Sequence, residues 1–227
     1  MGVRENLLEI KRRMDRASRN APLPKRVTLV GITKGVAVAE VRKGIAAGLE
    51  EIGENRVQEA QEKVEAVGRA VRWHMVGHLQ RNKVKDALRL FELIHSVDTL
   101  RLAQEIEKVA SLLRKEVAVL LQVNVQGQLT QFGVAPETAP RLAREIAALS
   151  HVRLLGVMTI APLSEEPEKS RPFFRRLREL KEHLEKEGDP RIAMRYLSMG
   201  MSQDFEVAIE EGSNMVRIGR AIFGPGS

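Results

Sequence analysis

Eight short apolar runs, each separated from the next by a stretch of helical period, constrain this chain more than any other feature. They are Val27–Thr33, Leu49–Gly53, Val71–Val76, Phe91–Ser96, Val117–Val125, Val152–Ile160, Ile192–Leu197 and Met215–Ile218. The runs are rich in branched residues and do not alternate with polar ones, as strands covered on both faces require. Between them, Val57, Ala60 and Val64 share one helical face, and Leu100, Ala103, Ile106, Ala110 and Leu113 share another, with Asp98 placed to cap it. Pro136 suits the first turn of a helix carrying Ala139, Leu142, Ala143 and Ile146. A longer helix carries Phe173, Leu177, Leu180 and Leu184 and should stop at Gly188-Asp189-Pro190. Ahead of the first run, Leu7, Ile10, Met14 and Ala17 form one more amphipathic face.

Regular β-α alternation implies a parallel sheet with helical crossovers. Eight units in 227 residues predict an α/β fold: a lean single-domain (β/α)8 TIM-like barrel over residues 1–227, with an extra N-terminal helix. That helix is expected to cover the place after the last run, where only Ala221–Ser227 remains. The rival is an open doubly wound sheet, which normally carries a glycine-rich fingerprint after its first strand. Here that turn reads Thr33-Lys34-Gly35-Val36, so the barrel is preferred.

Composition narrows the class of function. No apolar run approaches the ~18–20 residues of a membrane span, and the charged N-terminus does not resemble a signal peptide. Cysteine is absent, which excludes disulfides, thiolate catalysis and cysteine-based zinc sites. A cytoplasmic monomer with no membrane partner is the simplest expectation. The net charge of +7 raises the question of nucleic acid, but basic and acidic residues are interspersed, as in RRLRELKEHLEKE, and aromatics make up only 4%. A basic module for RNA or DNA would need a stacking platform; solvated, salt-bridged helices account for the charge better, and no nucleic acid is expected.

Chemistry in a barrel sits at the C-terminal ends of its strands, with phosphate often held after strands seven and eight. Lys34 ends the first run; apolar surroundings there would favour the neutral amine that attacks a carbonyl, although a plain solvated lysine reads the same. The turn Ser198-Met199-Gly200-Met201-Ser202 precedes a helix and could cradle phosphate, or simply supply Ser202 as a cap with Asp204 in the first turn. Arg217 lies within the eighth run and Gly219-Arg220 follow it; Arg217 would serve an anion or pair with a buried carboxylate. Closure would bring strand eight beside strand one. Lys34, the serine-rich turn and Arg217 would then surround one pocket, a set that matches pyridoxal 5′-phosphate (PLP). Asn55 could line it or cap a helix, and His74, inside an apolar run, could be a base or a hydrogen-bonded core residue. His74 and His78 have no acidic third ligand nearby, so no metal is expected.

The segments GITK, IGENRVQEA, WHMVGHLQRNK, LLGVMTIAP, LSMGMSQDFEVAI and VRIGRAIFG together resemble the PLP homeostasis proteins, also called the YggS or proline-synthetase co-transcribed family. The likeness spans about Val27 to Gly224. It implies the (β/α)8 fold of the alanine racemase N-terminal domain, with PLP as cofactor held as a Schiff base on Lys34. It further implies Arg217 facing the pyridine nitrogen, Ser198, Ser202, Gly219 and Arg220 around the phosphate, and Asn55 lining the pocket; His74 is a weaker carry-over. Two positions depart from the pattern: Arg220 stands where threonine is frequent, and Gln131 where lysine is frequent.

The resemblance implies a protein of intracellular PLP homeostasis that holds PLP, with delivery to apo-enzymes as a further possibility. An arginine can only donate to the ring nitrogen, which leaves the ring a weak electron sink. The sequence ends soon after the eighth run and its sole tyrosine, Tyr196, lies within a run, so a two-base racemase is not expected. The alternatives are a weak PLP-dependent amino-acid racemase and a cofactor-free Schiff-base aldolase using Lys34.

Overall fold

The computed structural model describes residues 2–22, 26–128, 130–162, 164–186 and 191–224. After helix α1 (Val3–Ser18), strands and helices alternate: β1 (Thr28–Ile32), α2 (Val38–Ala46), β2 (Glu51–Glu54), α3 (Val57–Val67), β3 (Arg72–Met75), α4 (Val84–Leu90), β4 (Leu93–Val97), α5 (Leu100–Leu112) and β5 (Val117–Gln122). The second half continues with α6 (Ala139–Ala147), β6 (Val152–Met158), α7 (Arg171–Lys186), β7 (Ile192–Ser198), α8 (Phe205–Glu210), β8 (Met215–Ile218) and the short α9 (Arg220–Phe223). All neighbouring strands pair parallel, and β8 closes onto β1 with Val30 beside Arg217. The result is a closed eight-stranded barrel, not an open sheet.

Side-chain alternation on the strands divides the interior in two. Trp73, Met75 and Ile94 join the large apolar core between sheet and helices. Val30, Leu93, Leu120, Met158 and Met215 form a second cluster inside the barrel. His74 and His95, in alternate register with Trp73 and Ile94, therefore project into the lumen.

Helix α1 does cover the seam beside the short α9. Its buried Leu7, Ile10 and Met14 contribute to the core, it packs on α2, α8 and α9, and Asn6 Nδ2 donates to the Ile222 carbonyl at 2.9 Å. Arg13 reinforces the contact with α8, 2.5 Å from Glu206 and 4.7 Å above the Phe205 ring.

Several local expectations require correction. Thr99, not Asp98, caps α5, its Oγ1 accepting from Leu102 N–H at 3.3 Å; Asp98 instead accepts the Gly133 N–H. Leu113 lies past the end of α5 and is exposed. The proline in the first turn of α6 is Pro140, and Pro136 precedes the helix. Strand β5 stops at Gln122 although the apolar run continues: Val123 still donates to the Met158 carbonyl of β6 but otherwise forms an isolated bridge with Val134. The predicted stop at Gly188-Asp189-Pro190 lies outside the described residues.

Candidate active site at the carboxyl ends of the strands

A cavity of about 450 Å³ opens at the C-terminal end of the barrel. Its wall contains Lys34, Asn55, Ser202, Arg217, Gly219 and Arg220, six of the residues singled out from sequence, from four different strand ends. The other two, Ser198 and His74, do not reach the wall. Ser198 is fully buried at the end of β7, and His74 is buried in β3. Both lie on strands that lead to the cavity, but their side chains point into the barrel instead of out of its mouth.

Lys34 stands two residues beyond β1 and is exposed, so the low-dielectric surroundings inferred from its apolar run are not provided. What the fold provides is a braced turn. The buried Lys63 of α3 donates to the Thr33 carbonyl, to Glu54 at 2.6 Å and to Glu59 at 2.7 Å. Thr33 Oγ1 lies 2.5 Å from the same Glu54 oxygen, and Glu59 accepts the Gly35 N–H at 2.5 Å. Both residues flanking Lys34 are thus tied to one buried ion cluster. Burial pushes the Glu54 carboxyl up, and Lys63 and Thr33 oppose that rise. Sequence reading passed over Lys63, whose position on α3 looks like an ordinary solvated charge.

Arg217 forms the buried part of the wall. Its Nη1 donates to Ser198 Oγ at 2.7 Å and its Nη2 to the Thr159 carbonyl at 2.7 Å. Burial pulls the guanidinium down to about 10, against the attraction of Asp204, so it remains protonated near neutral pH. Among the described residues, Lys34, Arg217 and Arg220 have no carboxylate within ion-pair distance. The buried-carboxylate reading of Arg217 therefore fails as a direct contact; only the longer-range charge of Asp204 acts on it.

The loop after β7 is shaped by Gly200 and Asp204. Gly200 has φ +96, and a Cβ there would lie 2.6 Å from Ala208 Cβ and 3.0 Å from Phe205 Cα. Glycine is required so that α8 can approach, while the Gly200 carbonyl accepts the Arg217 N–H at 3.0 Å. Asp204, rather than Ser202, precedes α8 as its cap. One Asp204 oxygen accepts the Met201 N–H at 2.7 Å and the other accepts from Ser170 Oγ at 3.2 Å. Its carboxylate is thereby occupied within the loop, and burial raises its pKa. Ser202 Oγ accepts the Ala221 N–H at 3.3 Å, joining the loops after β7 and β8. Gln131, at the other variable position, donates to the carbonyl of the wall residue Ile160 at 2.8 Å. Among the described residues no group of three or more His, Cys, Asp or Glu is arranged to hold a metal. Among the described residues, no helix is long and apolar enough to cross a membrane.

The arrangement defines a (β/α)8-barrel protein with a cationic cavity, an amine at its mouth and a protonated guanidinium in its buried wall. The family model described as alanine racemase, N-terminal domain, matches residues 3–226. A protein of Aquifex aeolicus named pyridoxal phosphate homeostasis protein is 45% identical over 96% of this chain and 94% of its own. One of the same name from Pseudomonas aeruginosa is 38% identical over 98% and 95%. The structure of PipY from Synechococcus elongatus PCC7942, solved with PLP bound, superposes with a TM-score of 0.86 at 32% identity, covering 98% of this chain and all of that one. A Clostridium difficile alanine racemase, at 20% identity and a TM-score of 0.77, shares the fold over 97% of this chain and 58% of its own. This chain belongs to the alanine racemase N-terminal domain family and, within it, to the pyridoxal phosphate homeostasis proteins.

Proposed function

We propose that this protein binds PLP reversibly and serves its intracellular homeostasis, holding the cofactor and handing it to apo-enzymes, as a cytoplasmic monomer. The observation that carries the reading is the charge pattern of the upper cavity: Lys34, Arg217 and Arg220 in its wall against the single acid Asp204, whose oxygens are already engaged. Such a wall suits an anionic aldehyde. When bound, PLP supplies an aldehyde that condenses with a primary amine, one water leaving.

In this reading Lys34 offers that amine, and its exposure at the mouth suits exchange. Arg217 faces the ring nitrogen; Ser202, Gly219 and Arg220 hold the phosphate; Asn55 completes the wall. Ser198 and His74 act behind Arg217 instead of touching the cofactor. Because a protonated guanidinium only donates, Arg217 keeps the ring nitrogen unprotonated and weakens its capacity to accept electrons. Among the described wall residues none is a tyrosine, histidine or cysteine, and the one acid, Asp204, is engaged by the Met201 N–H and Ser170 Oγ. The site therefore favours retention over turnover.

The test is an absorbance spectrum of the protein with added PLP, followed by borohydride reduction and peptide mapping. A near-visible band that becomes fixed on Lys34 is the expected result. A protein that takes up no PLP would sink the reading and leave the cofactor-free aldolase in its place.

A further inference from the structure

The lumen beneath the cavity holds polar groups that PLP binding alone does not explain. His74, His95, Ser198 and Glu51 are each at most 6% exposed, yet they lie among the apolar side chains that fill a barrel interior. They are linked end to end. Ser198 Oγ, which receives Arg217 Nη1–H, is 3.1 Å from His95 Nδ1. His95 Nε2 is 2.9 Å from His74 Nδ1, and His74 Nε2 is 3.1 Å from Glu51 Oε2. Glu51 in turn pairs with Arg72, its neighbour in register across β2 and β3. The chain thus runs from the upper cavity to the opposite end of the barrel, where Glu51 and Arg72 line a second cleft.

Donors and acceptors permit one direction. Glu51 accepts, so His74 carries its proton on Nε2 and presents Nδ1 as an acceptor. His95 then donates from Nε2, and its Nδ1 accepts the hydroxyl proton of Ser198. The Ser198 oxygen is left with lone pairs for Arg217. The reverse order would leave the Ser198 proton without an acceptor and would require protons on both nitrogens of His74. Burial above all, with the nearby Arg217 guanidinium, keeps His95 neutral, which suits a ring that donates once and accepts once. Burial tends to raise Glu51, but His74 and Arg72 outweigh it and hold it below the ordinary carboxylate range.

We propose that Glu51, His74 and His95 are positioning residues: acting through Ser198, they form a one-way hydrogen-bonded relay that orients Arg217. The relay explains why two histidines occupy an otherwise apolar lumen. Its consequence for ligand binding rests on the PLP reading above: a locked guanidinium presents its remaining N–H groups to the ring nitrogen in a fixed direction.

Two measurements test it. Nitrogen-15 NMR of the PLP-free protein, with its five histidines labelled and the lumen pair assigned through His74→Gln and His95→Gln, should show both rings as Nε2–H tautomers. A proton on Nδ1 of His95 would break the relay and overturn the proposal. The second measurement compares PLP with its 1-deaza analogue, in which a C–H replaces the ring nitrogen. Glu51→Leu, which removes the acceptor at the foot of the relay, should weaken PLP about tenfold and leave the analogue unaffected, whereas Glu51→Gln, whose amide oxygen still accepts from His74, should keep most of the affinity. Equal loss for both ligands, or no loss for either, would mean that Glu51 is merely structural. Should the wild-type protein bind neither ligand, the PLP reading falls while the tautomers still decide the relay.

Discussion

The two ends of the barrel carry clefts of opposite character. The lower one is larger, about 680 Å³ against about 450 Å³, and it too contains three basic residues, Lys11, Arg26 and Arg72. Three acids, Asp15, Glu50 and Glu51, line the same cleft and balance that charge: Arg72 pairs with Glu51, and Arg26 lies 3.7 Å from Glu50. In the upper cavity Lys34, Arg217 and Arg220 have no such carboxylate partners among the described residues. Volume therefore does not mark the site. Cationic charge left unbalanced by the protein does, because only there does an anionic ligand gain more than it displaces.

The sharpest way to break this comparison is Lys34→Ala. It should abolish the borohydride-trapped PLP adduct completely. Because Lys34 is exposed, it should change unfolding free energy by less than about 0.5 kcal/mol. A retained adduct would move the reactive amine elsewhere.

Behind Lys34 the expected effects are on stability. Lys63→Met strands the buried Glu54 and Thr33 carbonyl and should cost about 4 kcal/mol in urea denaturation. A loss below about 1 kcal/mol would mean that the cluster is readily rehydrated. Gly200→Ala forces a side chain into a left-handed backbone against Ala208 and should cost about 3 kcal/mol by the same measurement.

The lumen has a distinct pH signature. Burial holds His95 well below its ordinary value of 6.5, so the folded protein keeps it neutral while the unfolded chain takes up a proton. Its contribution is complete above about pH 6.5 and is lost as pH falls below that value. The wild type should lose up to about 1.4 kcal/mol per pH unit more than His95→Gln over this range. Parallel stability profiles would contradict a neutral His95. The smallest effect belongs to the lower cleft. Arg26→Ala removes an exposed pair, should alter stability by less than about 0.5 kcal/mol, and should leave PLP uptake unchanged. A weakened uptake would show that the lower cleft takes part in binding.

The order of strands and helices could be read directly from the chain, since alternating periods of apolar residues state which segments are buried on two faces and which on one. So could the residues at the mouth, because strand ends carry a barrel's chemistry and Lys34, Asn55, Ser202 and Arg217 all stand at or beside them. The exposure of Lys34 could not be read, because it depends on how far the turn after β1 projects from the sheet. Lys63 and Glu51 look like surface charges along the sequence and become buried only through α3 packing on the β1 turn and through the pairing of β2 with β3.

His95 illustrates the limit most clearly. In FELIHSVD it is one polar residue in an apolar run, with nothing to distinguish a lumen position from a core one. Its role exists only because β3, β4 and β7 bring His74, His95 and Ser198 together across the barrel from residues 21 and 103 positions apart. Sequence periodicity determined the barrel and the ring of residues at its mouth, because local burial patterns and strand ends are local properties. Tertiary structure alone decided which side chains share the lumen and which cation lacks a counter-ion, because those depend on closure of the sheet.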